Sequence, residues 1–333
     1  MPIELKQLKG EEFIKKILSG EKDFSGIKLE VGFDLSGHEA FGQLCAYLKK
    51  EDLQKNPIIL SASELQGIIA KGIYLPYVKA DVVNLRKANL EEAYLKNAEM
   101  KLANLEKANL KGADLEKADL YKARFYRAYL EKTNLSGAIL SRANFKQAYL
   151  AKADLKSTNL YGATLSEANL YEANIEEANL YNTDLSKANL ERACLRSADL
   201  SEADLSSAEL FEANIEKANL SATKCMFSNF RRANLKEANL SRANFECANL
   251  SEAYLEKANL SKADFEEADL WKAKLKEADV SRTTFYKTNL EDVKDIESAL
   301  NLERALFEAV TISEKERKIF EKIFAEKKFF VVE

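Results

Sequence analysis

Large apolar side chains return every five residues over most of this chain, and polar residues fill the gaps between them. From Leu90 to Leu290 every position divisible by five is a large apolar residue, apart from Cys225. Of these 41 centres 30 are Leu, and 34 of the residues two places before them are Ala, so one large and one small residue form the unit. Between the two lies mostly Asn or Asp, as in "ANLEKANLKGADLEKADL" from Ala103 to Leu120. Five is neither the helix period of 3.6 nor the strand period of 2. The Ala and the centre lie two apart and share a face, while the Asn or Asp between them faces outward. Each unit therefore reads as three extended residues followed by a turn. Units stacked side by side make a solenoid, in which each coil buries its apolar face against its neighbours.

This motif resembles A(D/N)LXX of the pentapeptide-repeat family over about two thirds of the chain. The resemblance implies an all-β solenoid, a right-handed quadrilateral β-helix with four pentads per coil. The sequence offers an independent check on a coil of twenty. Phe occupies the centre at 125, 145, 230, 245, 265 and 285, and all but Phe230 share one phase of twenty. Ile175 and Ile215 share another. Phe230 follows the small Cys225 and reads as local volume compensation or as ordinary drift.

Outside the strict repeat, 83–290, three segments stand apart. Residues 1–57 read as a helical or mixed N-terminal cap. Within them Gly10 to Gly20 predicts an amphipathic helix on Phe13, Ile14, Ile17 and Leu18. His38 to Lys50 predicts a second helix, with Phe41, Leu44, Cys45 and Leu48 inward. Residues 58–82 fit the five-residue phase as degenerate coils, so the β-helix domain is set at 58–292; a helix opened by Ser61 and Glu64 is the alternative. Residues 293–333 read as a degenerate coil and a C-terminal capping helix, opened by Ser313 and Glu316. That helix and the tail offer Ile319, Phe320, Ile323, Phe324, Phe329 and Phe330, more apolar surface than a cap needs. They are expected to cover the solenoid end or to join two copies in a homodimer.

Composition narrows the function. At 46% apolar and 31% charged residues the chain suits a soluble protein. The charged N-terminus has no secretory pattern, no run is long enough to span a membrane, and four scattered Cys suit a reducing cytoplasm. Cys45 and Cys225 are expected to be buried, and Cys194 and Cys247 to face outward. The only His, His38, lies outside the repeat, no Cys pair has zinc spacing, and no Gly-rich phosphate loop is present. No enzyme, cofactor or metal is expected.

Function then has to sit on outward positions. Residues 83–160 hold 15 basic and 9 acidic residues, 161–220 hold 4 and 12, and 221–290 hold 12 and 10, which makes an acidic waist in a neutral repeat. Phe211, Met226 and Phe227 are outward within one coil of each other, beside Arg231 and Arg232. Apolar groups beside Arg make interaction hot spots, so these five are the candidate partner-binding residues. The reading is a non-enzymatic, rod-like scaffold that binds a protein partner through its outer walls. The alternative, implied by the resemblance alone, is a DNA-mimicking inhibitor or protector of DNA gyrase or another type II topoisomerase. Mixed charge argues against direct nucleic-acid binding.

Overall fold

The pentads close into coils because each residue type meets one backbone requirement. Leu105 O accepts the N–H of Ala108 at 3.0 Å, which closes a four-residue turn. The third residue of that turn, Lys107, has φ 57°. The same left-handed position recurs every five residues, usually without glycine, so the winding holds many L-residues in a costly conformation. The Asn or Asp of the motif steadies the turn. Asn104 Oδ1 accepts the N–H of Glu106 at 3.2 Å, and Asn134 and Asp184 do the same for Ser136 and Ser186. A short side-chain acceptor two residues before a donor is an Asx turn, which is why these two residue types alternate here. Val82 meets the same requirement badly, being β-branched with φ 60° and 56% exposed. Val82→Gly is expected to raise the unfolding free energy by ~1 kcal/mol in urea denaturation. An unchanged or lower value would show that the turn carries no strain.

The computed structural model describes residues 5–322 with their side chains, and the backbone alone at 323, 330 and 331. The chain forms two compact units, Met1–Asn169 and Leu170–Glu333. In both, residue i bridges residue i+20 in parallel, as Asn104 does with Arg124 and Asn214 with Asn234. Each bridging residue makes both of its backbone bonds to the preceding coil, and its two flanking residues serve the next: Asn109 N–H reaches Ala88 O at 2.8 Å and its O receives Leu90 N–H at 2.7 Å, while Leu110 N–H reaches Tyr129 O at 2.7 Å. Twenty residues per turn make four pentads, and hence four walls, per coil. This is a parallel β-solenoid.

The core is a stack of like on like. Leu105, Leu110, Leu115 and Leu120 are fully buried, and so are Ala103, Ala108 and Ala118. Where Thr replaces Ala, its hydroxyl finds a carbonyl: Thr133 donates to Leu110 O at 2.8 Å and Thr283 to Leu260 O at 2.8 Å. A buried hydroxyl without such a partner would cost about 1–3 kcal/mol. Phe rings stack within each unit. Phe125 lies 4.5 Å from Phe145 in one unit, and Phe265 lies 5.0 Å from Phe245 and 5.5 Å from Phe285 in the other. Phe230 packs edge-on to Phe245 at 5.4 Å, beside the small Cys225.

In the first unit, β1 (Lys6–Gln7) pairs in parallel with β2 (Ile27–Lys28), and helix α1 (Gly10–Leu18) lies between them in sequence. Phe13, Ile14 and Ile17 of α1 are buried, and Phe13 packs edge-on to Phe24 at 4.8 Å. The helix has no cap from its own N-cap side chain; instead the Glu30 carboxylate accepts the Gly10 N–H at 3.0 Å, placing negative charge at the positive helix end. A Cβ on Gly10 would come within 2.3 Å of the Phe33 ring, so this position excludes side chains. Residues 23–34 bridge to 59–69 at offsets of 35 and 36, because helix α2 (Phe41–Lys50) is inserted into that coil. Leu44 and Leu48 of α2 are buried, but Phe41 and Cys45 are only half-buried. The expectation that Cys45 is buried is corrected here: it lies one step round the helix from Leu44, at the edge of the contact face. Residues 58–82 wind as coils, with bridges Ile59–Lys79, Glu64–Asn84 and Tyr74–Tyr94. Their small centres Ala70 and Ala80 line an apolar cavity of about 50 Å³.

In the second unit the offset grows from 20 to 22. Phe285 in β3 (Thr284–Tyr286) pairs with Phe307 in β4 (Leu306–Val310), and β5 (Phe330–Val331) pairs with β4. Two short 3-10 turns, Ile296–Ser298 and Leu302–Arg304, take up the extra residues. Helix α3 (Glu314–Ile323) follows. Its start is a capping box: Ser313 N–H donates to Glu316 Oε2 at 3.0 Å, and Lys315 N–H donates to Ser313 Oγ at 3.3 Å. Phe320, 3% exposed, sets its ring 5.0 Å from Phe307, which stacks on Phe285 at 4.9 Å.

Candidate functional site

Outward positions fall into columns, each residue one coil from the next. Most charged columns alternate in sign. Lys71 meets Glu91 at 3.4 Å and Lys96 meets Glu116 at 2.6 Å; in the second unit Arg192 meets Glu212 at 3.0 Å, Lys236 meets Glu256 at 3.5 Å, and Lys287 meets Glu267 at 2.9 Å. Each such exposed pair contributes about 0–1 kcal/mol. Their collective effect is to make the walls locally neutral.

The five residues singled out as a binding surface sit on two corners rather than in one cluster. Phe211 and Arg231 occupy the same column, and the Arg231 guanidinium lies 5.9 Å from the Phe211 ring centre. Arg231 and Arg232 both hold Glu252, at 3.0 and 2.9 Å. The hydrogen bond from Arg232, then that from Arg231, keeps the Glu252 carboxyl below the usual carboxylate range. Met226 and Phe227 stand on the preceding corner, separated from Arg231 by the buried wall residues Ser228 and Phe230. Phe227 is 62% exposed with φ 59°, an apolar ring pointed at solvent from a strained turn. Of the C-terminal candidates, Phe320 is buried under Phe307 and Ile319 is half-buried. Phe330 contributes the backbone pairing of β5, whereas Phe324 and Phe329 lie outside the described residues.

Wall-by-wall reading overlooked other outward groups. Tyr129 and Tyr149 stack face to face at 5.0 Å with 45% and 42% of their surface exposed. Beside them Arg127 donates to Gln147 at 2.7 Å. The signal was available: both Tyr take the place of the motif's Asn, twenty residues apart. A serine column, Ser201, Ser221, Ser241 and Ser261, lines a groove of about 490 Å³ in the second unit.

Chemically reactive groups are dispersed. Cys225 is fully buried, and burial pushes its thiol up to about 12, so it stays protonated. His38 Nδ1 accepts the Ala40 N–H at 3.1 Å, a local turn contact. Among the described residues no group of three or more His, Cys, Asp or Glu could hold a metal, and no helix is long and apolar enough to cross a membrane.

Among solved structures, the chain is similar to HetL, a pentapeptide repeat protein involved in heterocyst differentiation regulation from the cyanobacterium Nostoc sp. strain PCC 7120. The identity is 28%, over 81% of this chain and 96% of that one, with a TM-score of 0.35. Full-length QnrB1, a plasmid-mediated fluoroquinolone resistance protein, is 19% identical over 57% of this chain and 97% of its own, with a TM-score of 0.36. Rfr23 from the cyanobacterium Cyanothece 51142 is 40% identical, over 27% of this chain and 60% of that one, with a TM-score of 0.26. No curated protein matches the chain. The pentapeptide-repeat family matches in eight copies, at 84–121, 98–137, 128–166, 138–176, 163–201, 188–224, 223–261 and 263–294. With those copies laid over coils of four pentads, many of them closed by the motif's own Asn or Asp, the chain belongs to the pentapeptide-repeat family.

Proposed function

We propose that this chain winds as a right-handed quadrilateral β-helix with helical caps and serves as a non-enzymatic scaffold, binding a protein partner through its outer walls. The observation that carries the reading is Phe227. A large apolar ring held 62% exposed in a left-handed turn costs solubility and backbone energy together, and among the described residues it has no ring or cation partner. Met226 beside it and the Phe211–Arg231 pair across the wall are the residue types that anchor interfaces. Phe320 supports a capping role for α3, since its ring covers the chain's own Phe column instead of facing a second copy. Four free thiols suit a cytoplasmic setting.

The test is a triple variant, Phe211→Ser, Met226→Ser and Phe227→Ser. Its thermal midpoint is expected to stay near that of the parent, because Phe227 is exposed and the other two are only partly covered. Retention of a partner from the source-cell extract is expected to be lost, while a Tyr129→Ser control keeps it. A large drop in midpoint would assign the three to the core and end the proposal. The alternative, a DNA mimic acting on gyrase, needs a strongly negative surface. Carboxylates paired one coil away, as Glu91, Glu116, Glu212 and Glu256 are, favour the scaffold; unchanged gyrase supercoiling in the presence of the chain is the expected result.

A further inference from the structure

One column of the second unit breaks the alternation of charge. Reading along the corner from coil to coil, the residues are Glu202, Ala222, Arg242, Lys262 and Arg282, locked in register by Arg242 N–H to Ser261 O at 3.0 Å and Lys262 N–H to Ser281 O at 2.9 Å. Three cations follow one another at the coil spacing of about 4.8 Å. All three are exposed, and among the described residues none makes an ion pair or a side-chain hydrogen bond. Like charges directly opposite each other on neighbouring strands are destabilising. Most other columns avoid this by placing Glu one coil from Lys or Arg, as at Arg232 and Glu252. The first unit has a comparable run, Lys87, Lys107 and Arg127, but there Arg127 donates to Gln147.

The neighbouring column adds donors of a second kind. Ser221, Ser241 and Ser261 line the groove beside the cations, and their hydroxyls make no hydrogen bond among the described residues. Ser201, by contrast, spends its hydroxyl on Asp199 at 2.6 Å. The groove thus offers free hydroxyl donors and positive charge along the same three coils. At its far end the sign reverses at Glu202, which accepts a hydrogen bond from Tyr181 at 2.8 Å.

We propose that the Arg242–Lys262–Arg282 column and its serine groove bind a short, extended acidic segment of a partner polypeptide. The proposal rests on the scaffold reading and names the chemistry of one partner surface. Length argues for a peptide. The cations span about 10 Å, and alternate side chains of an extended peptide lie about 6.6 Å apart, so two carboxylates fit over the column. A longer polyanion would run onto Glu202. Base stacking needs aromatic platforms along the cations, and the one aromatic lining the groove, Tyr181, lies at its acidic end and donates to Glu202, which disfavours single-stranded nucleic acid.

The test uses the purified chain and a fluorescein-labelled hexaglutamate peptide, with tripolyphosphate and a decathymidylate oligonucleotide as competing probes. Fluorescence anisotropy at low salt is expected to show binding that Arg242→Glu with Lys262→Glu weakens about tenfold or more, as loss of charge pairing to a polyanion should. Lys236→Glu, a reversal on another column, is expected to leave it within about twofold. Lys262→Glu alone is expected to raise the melting temperature, because it restores alternation. No peptide binding, equal loss in the Lys236 variant, tighter binding of either competitor, or a lower melting temperature for Lys262→Glu would overturn the proposal. Peptide binding and partner retention at the Phe227 corner are separate readouts, so either can fail without the other.

Discussion

Phe265→Ala is expected to cost about 3–5 kcal/mol, one of the two largest losses expected of a single substitution in this chain. The ring is fully buried between Phe245 at 5.0 Å and Phe285 at 5.5 Å, with planes 2° and 10° from parallel. Removing it takes away its own transfer free energy and leaves two rings facing a gap that neither can close, because each is held by its own coil. The offset stack is lost as well, about 0.5–1.5 kcal/mol for each aromatic pair. Phe265→Leu keeps the size class that most centres use and should cost far less. Urea denaturation of the two variants gives the comparison. A solenoid transmits such damage mainly to neighbouring coils, so amide exchange should quicken first near Phe245, Phe285 and Phe307. An alanine variant within 1 kcal/mol of the parent would mean that the Phe column is not a packed stack.

Some of this was legible in the residues alone. The resemblance implied twenty residues per coil, the shared phase of Phe125 and Phe145 agreed with it, and the rings stack at 4.5 Å. The apolar stripe Phe13, Ile14, Ile17 gave α1, because helix periodicity survives in isolation. Other features depend on what the chain meets in three dimensions. The inserted α2 shifts bridge offsets to 35 and 36, and no local pattern reports how long an excursion a coil tolerates. Cys45 follows Leu44 directly, and which of two adjacent helix positions is covered depends on the docking angle. The five proposed binding residues looked contiguous because outward positions were grouped by distance in sequence; the buried wall between Phe227 and Arg231 divides them. Counting charge by segment likewise averaged over all four walls. It gave nearly neutral totals for 221–290 and hid the in-register Arg242, Lys262 and Arg282. The Asn or Asp of the motif was read only as outward, although its Oδ1 closes the turn.

Ala118→Leu is the second large loss, expected at about 3 kcal/mol or more, at or beyond the upper end of ordinary overpacking. Ala118 has no exposed surface, and its coil neighbours at the same position, Ala98 and Ala138, are as completely buried. They lie about 4.8 Å away along the stack, so an added isobutyl group has no free direction. The backbone cannot yield either, because Asp119 N–H is held by Ala98 O at 2.8 Å and Ile139 N–H by Ala118 O at 2.9 Å. Leu120→Met, two residues on, conserves volume at a centre and should cost less than about 1.5 kcal/mol. Ala118→Thr separates size from polarity. Thr133, at the equivalent position of the next wall but two, is fully buried and donates to the carbonyl of Leu110, twenty-three residues back. The matching carbonyl for residue 118 is that of Leu95, so threonine should be tolerated where leucine is not. Chemical denaturation followed by far-UV circular dichroism orders the three. If Ala118→Leu and Leu120→Met unfold at the same denaturant concentration, the small position is not a steric requirement, and the account of why this family repeats alanine is wrong.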